Sequence, residues 1–233
     1  MFVIFNMHGM KEASNNLRII WFIIHTALLY IAYLLCFDEG FLLISDKFEI
    51  NFSSGNFCRK NCLFSFGAIM YVRMNITNFY LLKRKMKIEE LFGVITACAA
   101  YQIGFMLLGG WQSEPLMLID VLGILLFIIG SYINTYSEIQ RKRFKDDPNN
   151  NGKLYTQGLF KYARHINYFG DICWVTGWAI VTNNIWSMFI PISLTLGFIF
   201  LFIPELSRYL ETNYVDEYLD WKKETKKLIP FIY

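Results

Sequence analysis

Apolar runs of near-bilayer length, repeated along 233 residues, constrain this chain more than any other feature. They cover residues 19–37, 63–82, 91–108, 116–133, 168–181 and 185–203. A helix crosses the hydrocarbon layer in about 20 residues. Within that layer every backbone polar group must be satisfied inside its own segment, or in a closed barrel. Unbroken runs of this length therefore predict an all-α, polytopic transmembrane helical bundle of about six to seven spans. Charged residues make up 18% of the chain, below the roughly 25% of soluble domains. Lys11, Glu12 and Arg18 precede the first run, and no small-residue cleavage pattern follows it. The first run is thus expected to be a permanent span rather than a signal segment.

The connectors give the expected orientation. Gly109-Gly110-Trp111-Gln112-Ser113-Glu114-Pro115 reads as a turn, as does Asp147-Pro148-Asn149-Asn150-Asn151-Gly152. Thr182-Asn183-Asn184 is a tight turn between the last two runs, which predicts an antiparallel hairpin. With the N-terminus placed in the cytoplasm, 18 of the 22 Lys and Arg fall in cytoplasmic segments. Lys47, Arg59 and Lys60 fall in outer loops, and Arg73 within a run. The positive-inside rule then predicts a multi-pass protein with both termini cytoplasmic. A net charge of +3 gives no reason to expect nucleic acid; the expected partners are the lipid bilayer and a hydrophobic small molecule. The five cysteines show no metal spacing, and no metal site is expected. Cys58 and Cys62 stand four apart and are read as a possible pair or as small apolar fillers. Beyond Pro204, Tyr209, Leu210, Tyr214, Tyr218 and Trp221 recur every three to four residues over much of the segment. That pattern predicts a C-terminal interfacial amphipathic helix, with a lid as the functional alternative.

Two polar constellations interrupt this apolar background. Asn134, Glu138, Arg141 and Lys145 fall within about 60° of one another on a helix. A solvated helix end explains the two cations, but Asn134 is expected at membrane depth. Arg164, Asn167, Tyr168 and Asp171 form a second helical face, with His165 beside it. Ionisable and amide groups at a membrane boundary persist where they bind or react. The cations suit phosphate, and the Asn and carboxylate groups suit amides and hydroxyls. Arg73 lies inside an apolar run near Tyr71 and is expected to face a cavity. No phosphate loop, Gly-x-Gly-x-x-Gly, His-Glu-x-x-His or Gly-x-Ser-x-Gly occurs, so any nucleotide must be held by the bundle itself.

From about Arg73 to the C-terminus the chain resembles the steroid 5α-reductase-like family (the 3-oxo-5α-steroid 4-dehydrogenase C-terminal domain), especially its bacterial members of undefined substrate. The marks are Arg73, Leu82-Lys83-Arg84-Lys85 and Glu90, then Gly130-Ser131-Tyr132-Ile133-Asn134 leading to Ser137-Glu138-Ile139-Gln140-Arg141. Lys153-Leu154-Tyr155-Thr156-Gln157-Gly158-Leu159-Phe160, Arg164-His165, Asn167-Tyr168-Phe169-Gly170-Asp171 and Leu228-Ile229-Pro230-Phe231 follow. The resemblance implies NADPH enclosed in the cytoplasmic half of the bundle, and hydride transfer to the β-carbon of an enone. It carries cofactor contacts onto Asn134, Glu138, Lys145, Asn167, Asp171 and Tyr214, and the basic motif of bacterial relatives onto Arg164 and His165. Arg141, Tyr155 and Tyr168 complete the candidate cofactor set, and Tyr71 and Arg73 are the candidate catalytic residues. Residues 1–115 are then the substrate side and 116–233 the cofactor-binding half of a single membrane domain. Ile166 stands where bacterial relatives carry Pro, and Asp171 where Glu is commoner. The Gln-Glu pair that binds the steroid ketone has no counterpart.

Three readings follow. The first is a membrane oxidoreductase that uses NADPH to reduce an activated C=C bond of a lipid-soluble, possibly steroid-like substrate. The second is an S-adenosylmethionine-dependent lipid or isoprenylcysteine methyltransferase on a related bundle, since such enzymes carry a similar Arg-His-x-x-Tyr. The third is a non-catalytic membrane protein that keeps the fold.

Overall fold

A computed structural model describes residues 15–37, 40, 53–82 and 86–233. Lys11, Glu12, Lys47 and the basic connector Lys83-Arg84-Lys85 lie outside the described residues. Within them every helix or strand assignment is helical, apart from one isolated bridge between Ala163 and Lys226. The elements are α1 (Asn15–Phe37), α2 (Phe57–Ile76), α3 (Ile88–Gly109), α4 (Leu118–Asp146), α5 (Ile166–Val181), α6 (Ile185–Asn213) and α7 (Val215–Glu224). A π-helical stretch, Thr77–Leu81, continues α2, and others lie within α3 (Ala100–Gly104) and α6 (Phe198–Phe202). Among the described residues α1, α3, α4 and α6 are long and apolar enough to cross a membrane. The other two apolar runs are helical as well. However, α2 carries Arg59, Lys60 and Arg73, and α5 is only 16 residues long.

The chain divides into two compact units. The first comprises residues 1–127 and 175–191. Its core is aromatic: Phe66 stacks on Phe127 at 3.8 Å, and Trp178 meets both rings edge-on at 6.1 and 6.0 Å. Glycine lets backbones meet beside it. A Cβ on Gly123 would lie 2.9 Å from the Gly177 carbonyl oxygen, and one on Gly177 would lie 2.5 Å from Phe127 N. Such small-residue contacts are the usual means of close helix packing in apolar surroundings. The turn at 182–184 forms as expected. Asn183 takes a left-handed conformation (φ 52°), and the Asn184 side chain accepts from Trp186 N and donates to Leu108 O.

The first unit also holds a charge pair that the loop reading of Arg59 did not anticipate. Arg59 is fully buried in α2, and Nη1 and Nη2 donate to the two Asp120 carboxylate oxygens at 2.8 and 3.0 Å. Its remaining donor capacity goes to the carbonyls of Val181 (2.6 Å), Pro115 (2.9 Å) and Glu114 (3.4 Å). Asp120 in turn accepts from Met117 N at 2.7 Å, at the start of α4. Arg59 is therefore an internal tie rather than an outer-loop charge.

The second unit comprises residues 128–174 and 192–233. Gly130 and Gly170 bring its helices together. A Cβ on Gly170 would sit 2.6 Å from Asn134 N, and one on Gly130 would sit 2.6 Å from the Gly170 carbonyl oxygen. The Asp147–Gly152 turn forms with the Asp147 side chain accepting from Asn149 N at 2.9 Å. The expected C-terminal amphipathic pattern forms a helix to Asn213, a break at Tyr214 (φ −138°, ψ 48°) and then α7. The aromatic face of α7 points inward. Tyr218 and Trp221 are buried with Tyr155, Phe160, Ala163 and Ile166, and Trp221 Nε1 donates to Phe160 O at 3.2 Å. Val215 and Leu219 occupy its exposed side. The cysteines are all free thiols, Cys58 and Cys62 included.

Removing one member of a buried ion pair strands the other. Asp120→Ala is therefore expected to destabilise the protein by about 3–5 kcal/mol. Adding Arg59→Ala should recover part of that loss. Unfolding of both variants in mixed micelles measures the two values; an Asp120→Ala protein of wild-type stability would contradict the pairing.

Candidate functional site

The two sequence-predicted faces meet in the second unit. α4 runs without a break past Lys145, so Asn134, Glu138, Arg141 and Lys145 do share one helical face. Asn134 Nδ2 donates to the Asn167 carbonyl oxygen at 3.1 Å. Asn167 Nδ2 donates to Glu138 Oε1 at 2.8 Å, while Glu138 Oε2 accepts from Arg141 Nη2. The closeness allowed by Gly170 at Asn134 makes these reaches possible. The result is a chain of amide, amide, carboxylate and guanidinium, in which each member fixes the next.

Lys145 extends the chain outward. Its Nζ donates to Lys153 O and to Tyr214 Oη at 3.2 Å, and lies 5.0 Å from the Tyr214 ring centroid. Tyr214 is placed there by the break between α6 and α7. Asp171 is buried and accepts from Trp174 Nε1 at 2.8 Å.

Other candidates are engaged differently. Arg164, on the second polar face, is a candidate for phosphate in the sequence. Instead its Nη1 donates to the carbonyls of Lys222 and Thr225, at the C-terminal end of α7. A cation there complements the negative end of the helix. Tyr155 belongs to the aromatic core, 5.0 Å from Phe144 and 5.7 Å from Phe160, and burial raises its phenol pKa. Tyr168 is buried and lies flat on Phe198 at 4.3 Å.

His165 is the most informative member of this group. Its ring is 1% exposed and stacks on Tyr168 at 5.6 Å, yet neither ring nitrogen has a hydrogen-bond partner among the described residues. The backbone holds it firmly: Arg164 N and His165 N donate to the carbonyls of Lys226 and Lys227 at 2.8 and 3.0 Å. Burial, reinforced by Arg164, Lys227 and Arg141, lowers its pKa to about 3, so the ring is neutral near pH 7. A neutral imidazole offers one donor and one acceptor, and neither is used by another described residue.

Tyr71 and Arg73 belong to the first unit. Tyr71 Oη shares a hydrogen bond of 2.8 Å with Thr26 Oγ1, and its ring lies 4.9 Å from that of His25. Arg73 is half-buried near the end of α2, one turn before the π-helical stretch that continues it.

Sequence reasoning missed several supporting residues. Gln140 Oε1 accepts from Leu159 N at 3.0 Å, and its amide crowds Gly158 (φ 59°), where a Cβ would lie 2.5 Å from that oxygen. The Glu217 carboxylate accepts from Leu154 N. Together they pin the 153–161 segment beside α4 and α7. Gln140 and Gly158 stood within the motifs that carry the family resemblance, without a role attached; for Glu217 there was no signal.

A family model described as a protein of unknown function (DUF1295) matches residues 75–225. Over 177 residues the chain is 27% identical to steroid 5-alpha-reductase DET2 of Gossypium hirsutum, covering 68% of this chain and 66% of that protein. The chain belongs to the steroid 5α-reductase-like family. Delta(14)-sterol reductase erg24 of Schizosaccharomyces pombe is 32% identical over 141 residues, 53% of this chain and 33% of that protein. A probable O-methyltransferase, ustE of Ustilaginoidea virens, is 36% identical over 123 residues, 52% of this chain and 42% of that protein. The chain thus spans between a third and two thirds of the length of these relatives. The matched segment of this steroid 5α-reductase-like protein takes in every candidate cofactor residue and begins just after Tyr71 and Arg73.

The buried neutral His165 has a pH signature. Its unfolded-state pKa is near 6.5 and its folded-state value about 3. Between these the unfolded chain binds the extra proton, so stability rises with pH through this window and levels off above about 6.5. The slope contributed is at most about 1.4 kcal/mol per pH unit. Unfolding measured from pH 7 down to pH 4 should show His165→Phe less acid-sensitive than wild type. Equal acid sensitivity would refute a buried neutral ring.

Proposed function

We propose that this protein is a membrane-embedded oxidoreductase that uses NADPH to reduce an activated C=C bond of a lipid-soluble substrate. The observation that carries this reading is the convergence of Asn134, Glu138 and Asn167 near the buried His165, within the segment that the family model matches.

The residues present fit a phosphorylated dinucleotide. Glu138 is a natural acceptor for ribose hydroxyls. Asn134 and Asn167 suit a carboxamide or a base edge. Arg141 and Lys145 lie outward along α4, where they suit phosphate groups. His165 offers its two buried nitrogens to a polar ligand. Arg164, Tyr155 and Tyr168 act as positioning residues: Arg164 ties α7 to the start of α5, and the two tyrosines pack the walls. NADPH, when bound, supplies a hydride for the β-carbon of an enone. The protein's own work is to orient the donor, exclude water and stabilise charge developing on the carbonyl oxygen. Tyr71 and Arg73 are assigned to the substrate side, Tyr71 as a hydroxyl donor and Arg73 as a nearby positive charge. The proposed orientation places both termini on the cytoplasmic side, where NADPH is available.

The similarity to a probable O-methyltransferase favours one second reading, an S-adenosylmethionine-dependent lipid methyltransferase. The two differ in what they require of Arg141 and Lys145. A dinucleotide phosphate needs cations, whereas S-adenosylmethionine is itself cationic at sulfur.

Titration of detergent-solubilised protein with NADPH, NADH and S-adenosylmethionine, read by tryptophan quenching and thermal shift, separates the readings. NADPH is expected to quench and stabilise. Selective stabilisation by S-adenosylmethionine would overturn the reductase assignment. Asn167→Ala removes the donor to Glu138 Oε1 and should weaken NADPH binding about tenfold or more, since such a loss costs roughly 1–3 kcal/mol. An unchanged dissociation constant would remove Asn167 from the site.

A further inference from the structure

The second unit exposes an apolar hook that neither its core nor the cofactor reading uses. Residues 225–233 read Thr-Lys-Lys-Leu-Ile-Pro-Phe-Ile-Tyr, with two lysines and no acid. Leu228 is 1% exposed and roots the segment in the protein. Beyond it Phe231 is 77% and Ile232 75% exposed, and Ile229 and Tyr233 also face outward. Phe231 takes a left-handed conformation (φ 66°), rare for a bulky side chain, where the chain turns back. The reversal is closed by its own backbone. Leu228 N and Ile229 N donate to Tyr233 O at 2.6 and 2.7 Å, and Ile232 N and Tyr233 N donate to Ile229 O at 3.1 and 3.0 Å. Tyr162, itself exposed, packs its ring 5.7 Å from that of Phe231.

Cations border this patch. Lys227 Nζ donates to Tyr233 Oη at 3.0 Å and lies 4.8 Å from that ring's centroid, and Lys161 Nζ lies 4.9 Å from the centroid of Tyr162. Lys222 and Lys223 are paired with Glu211 and Asp220. Lys161, Lys226 and Lys227 have no ion-pair partner among the described residues. The hook also has a fixed place in the fold. Arg164 N and His165 N donate to the carbonyls of Lys226 and Lys227, so it lies against the residues just before α5, where an apolar helix begins. Exposed apolar and aromatic side chains bordered by lysines, at the edge of an apolar helix, have the composition of a membrane–water interface. The turn satisfies four amide N–H groups internally, as apolar surroundings require. Lysines without acidic partners, beside apolar tips, complement an anionic headgroup, whose charge lies just above the acyl chains.

We propose that Ile229, Phe231 and Ile232 insert at the acyl boundary of the bilayer, and that Lys161, Lys226 and Lys227 bind the phosphates of anionic phospholipids there. The lysine stems lie along apolar surface while their ammonium groups reach the headgroups. The interfacial role that aromatic spacing suggested for α7 passes to this hook, since α7 turns its own aromatics inward. The hook also carries the carbonyls that hold Arg164 and His165, so lipid contact steadies the start of α5. This surface stands whether or not the reductase reading holds.

The test puts a photoreactive ring on the hook, as Phe231→p-benzoylphenylalanine, with the full chain in nanodiscs of equimolar phosphatidylcholine and phosphatidylglycerol. Illumination followed by mass spectrometry identifies what the ring touches. Phospholipid adducts are expected, with phosphatidylglycerol favoured about threefold or more. Changing the three lysines together (K161Q, K226Q and K227Q) should bring that preference close to one while lipid adducts remain. Ile232→p-benzoylphenylalanine reports the same contact from the next position if the first variant misfolds. Absence of lipid adducts, or a cross-link to a second copy of this chain in their place, would overturn the proposal. Equal labelling of the two lipids with the lysines intact, or an undiminished preference without them, would do the same.

Discussion

The approach of backbones at Gly130 and Gly170 is the constraint on which the second unit depends. Any side chain at Gly170 would collide with the Asn134 backbone, and any at Gly130 with the Gly170 carbonyl. Only at this separation can the Asn134 amide reach the Asn167 carbonyl, and the Asn167 amide the Glu138 carboxylate. Each of these side chains is short and has few rotamers. A Cβ wedged between the backbones would remove both hydrogen bonds together, not one at a time. The polar chain and the glycine contact are thus one feature: the small residues set the distance, and the amides use it.

The buried polar groups then divide by how completely they are hydrogen-bonded. Arg59 and Asp120 show the structural solution. Both are fully buried, and carboxylate, guanidinium, carbonyls and an amide N–H are matched throughout. Such an arrangement has nothing left to offer a ligand. His165 and His25 show the opposite. Each is as deeply buried and held in place by neighbours, yet among the described residues His165 leaves both ring nitrogens unmatched and His25 leaves Nδ1. An unmatched buried donor costs free energy that a purely structural site would avoid by substitution with an apolar residue. The completed network at Arg59 and the incomplete ones at the two histidines therefore call for different explanations, although all three are ionisable residues in an apolar chain.

Much of the α-helical architecture was legible because hydrophobic run length and turn residues report directly on it. The shared face of Asn134, Glu138, Arg141 and Lys145 followed from helical periodicity, and α4 continues as far as that face requires. What periodicity does not encode is pairing between distant segments. Arg164 looked like a phosphate ligand because its true partners, the carbonyls of Lys222 and Thr225, are backbone groups about 60 residues away. Tyr218 and Trp221 looked like membrane anchors because aromatic spacing does not say which side of a helix is covered. Arg59 was read as a loop charge, although an acidic residue at 120, near the start of an apolar run, was a visible sign that a buried cation was needed. His25 and Gln102 were passed over for a similar reason. Single polar residues in long apolar runs carry no local pattern, and their meaning appears only when α1 and α3 bring them together.

The distribution of charge along the α4 face bears on which ligand such a bundle holds. From Asn134 outward the side chains pass from a neutral amide through a carboxylate to a guanidinium and an ammonium. That order suits a ligand whose uncharged end lies deep and whose anionic groups lie toward water. S-adenosylmethionine has the reverse need, since its sulfonium would sit near the reacting centre and favour anionic or aromatic neighbours there. Glu138 does not reverse this, because its charge is already paired with Arg141, while its oxygens keep lone pairs for neutral hydroxyls. A second cation at the deep end would find no free negative charge in this group, whereas phosphates at the outer end would meet Arg141 and Lys145. In the reductase reading proposed above, the charge order of the whole face, more than any single residue, is what favours a phosphorylated dinucleotide over a sulfonium cofactor.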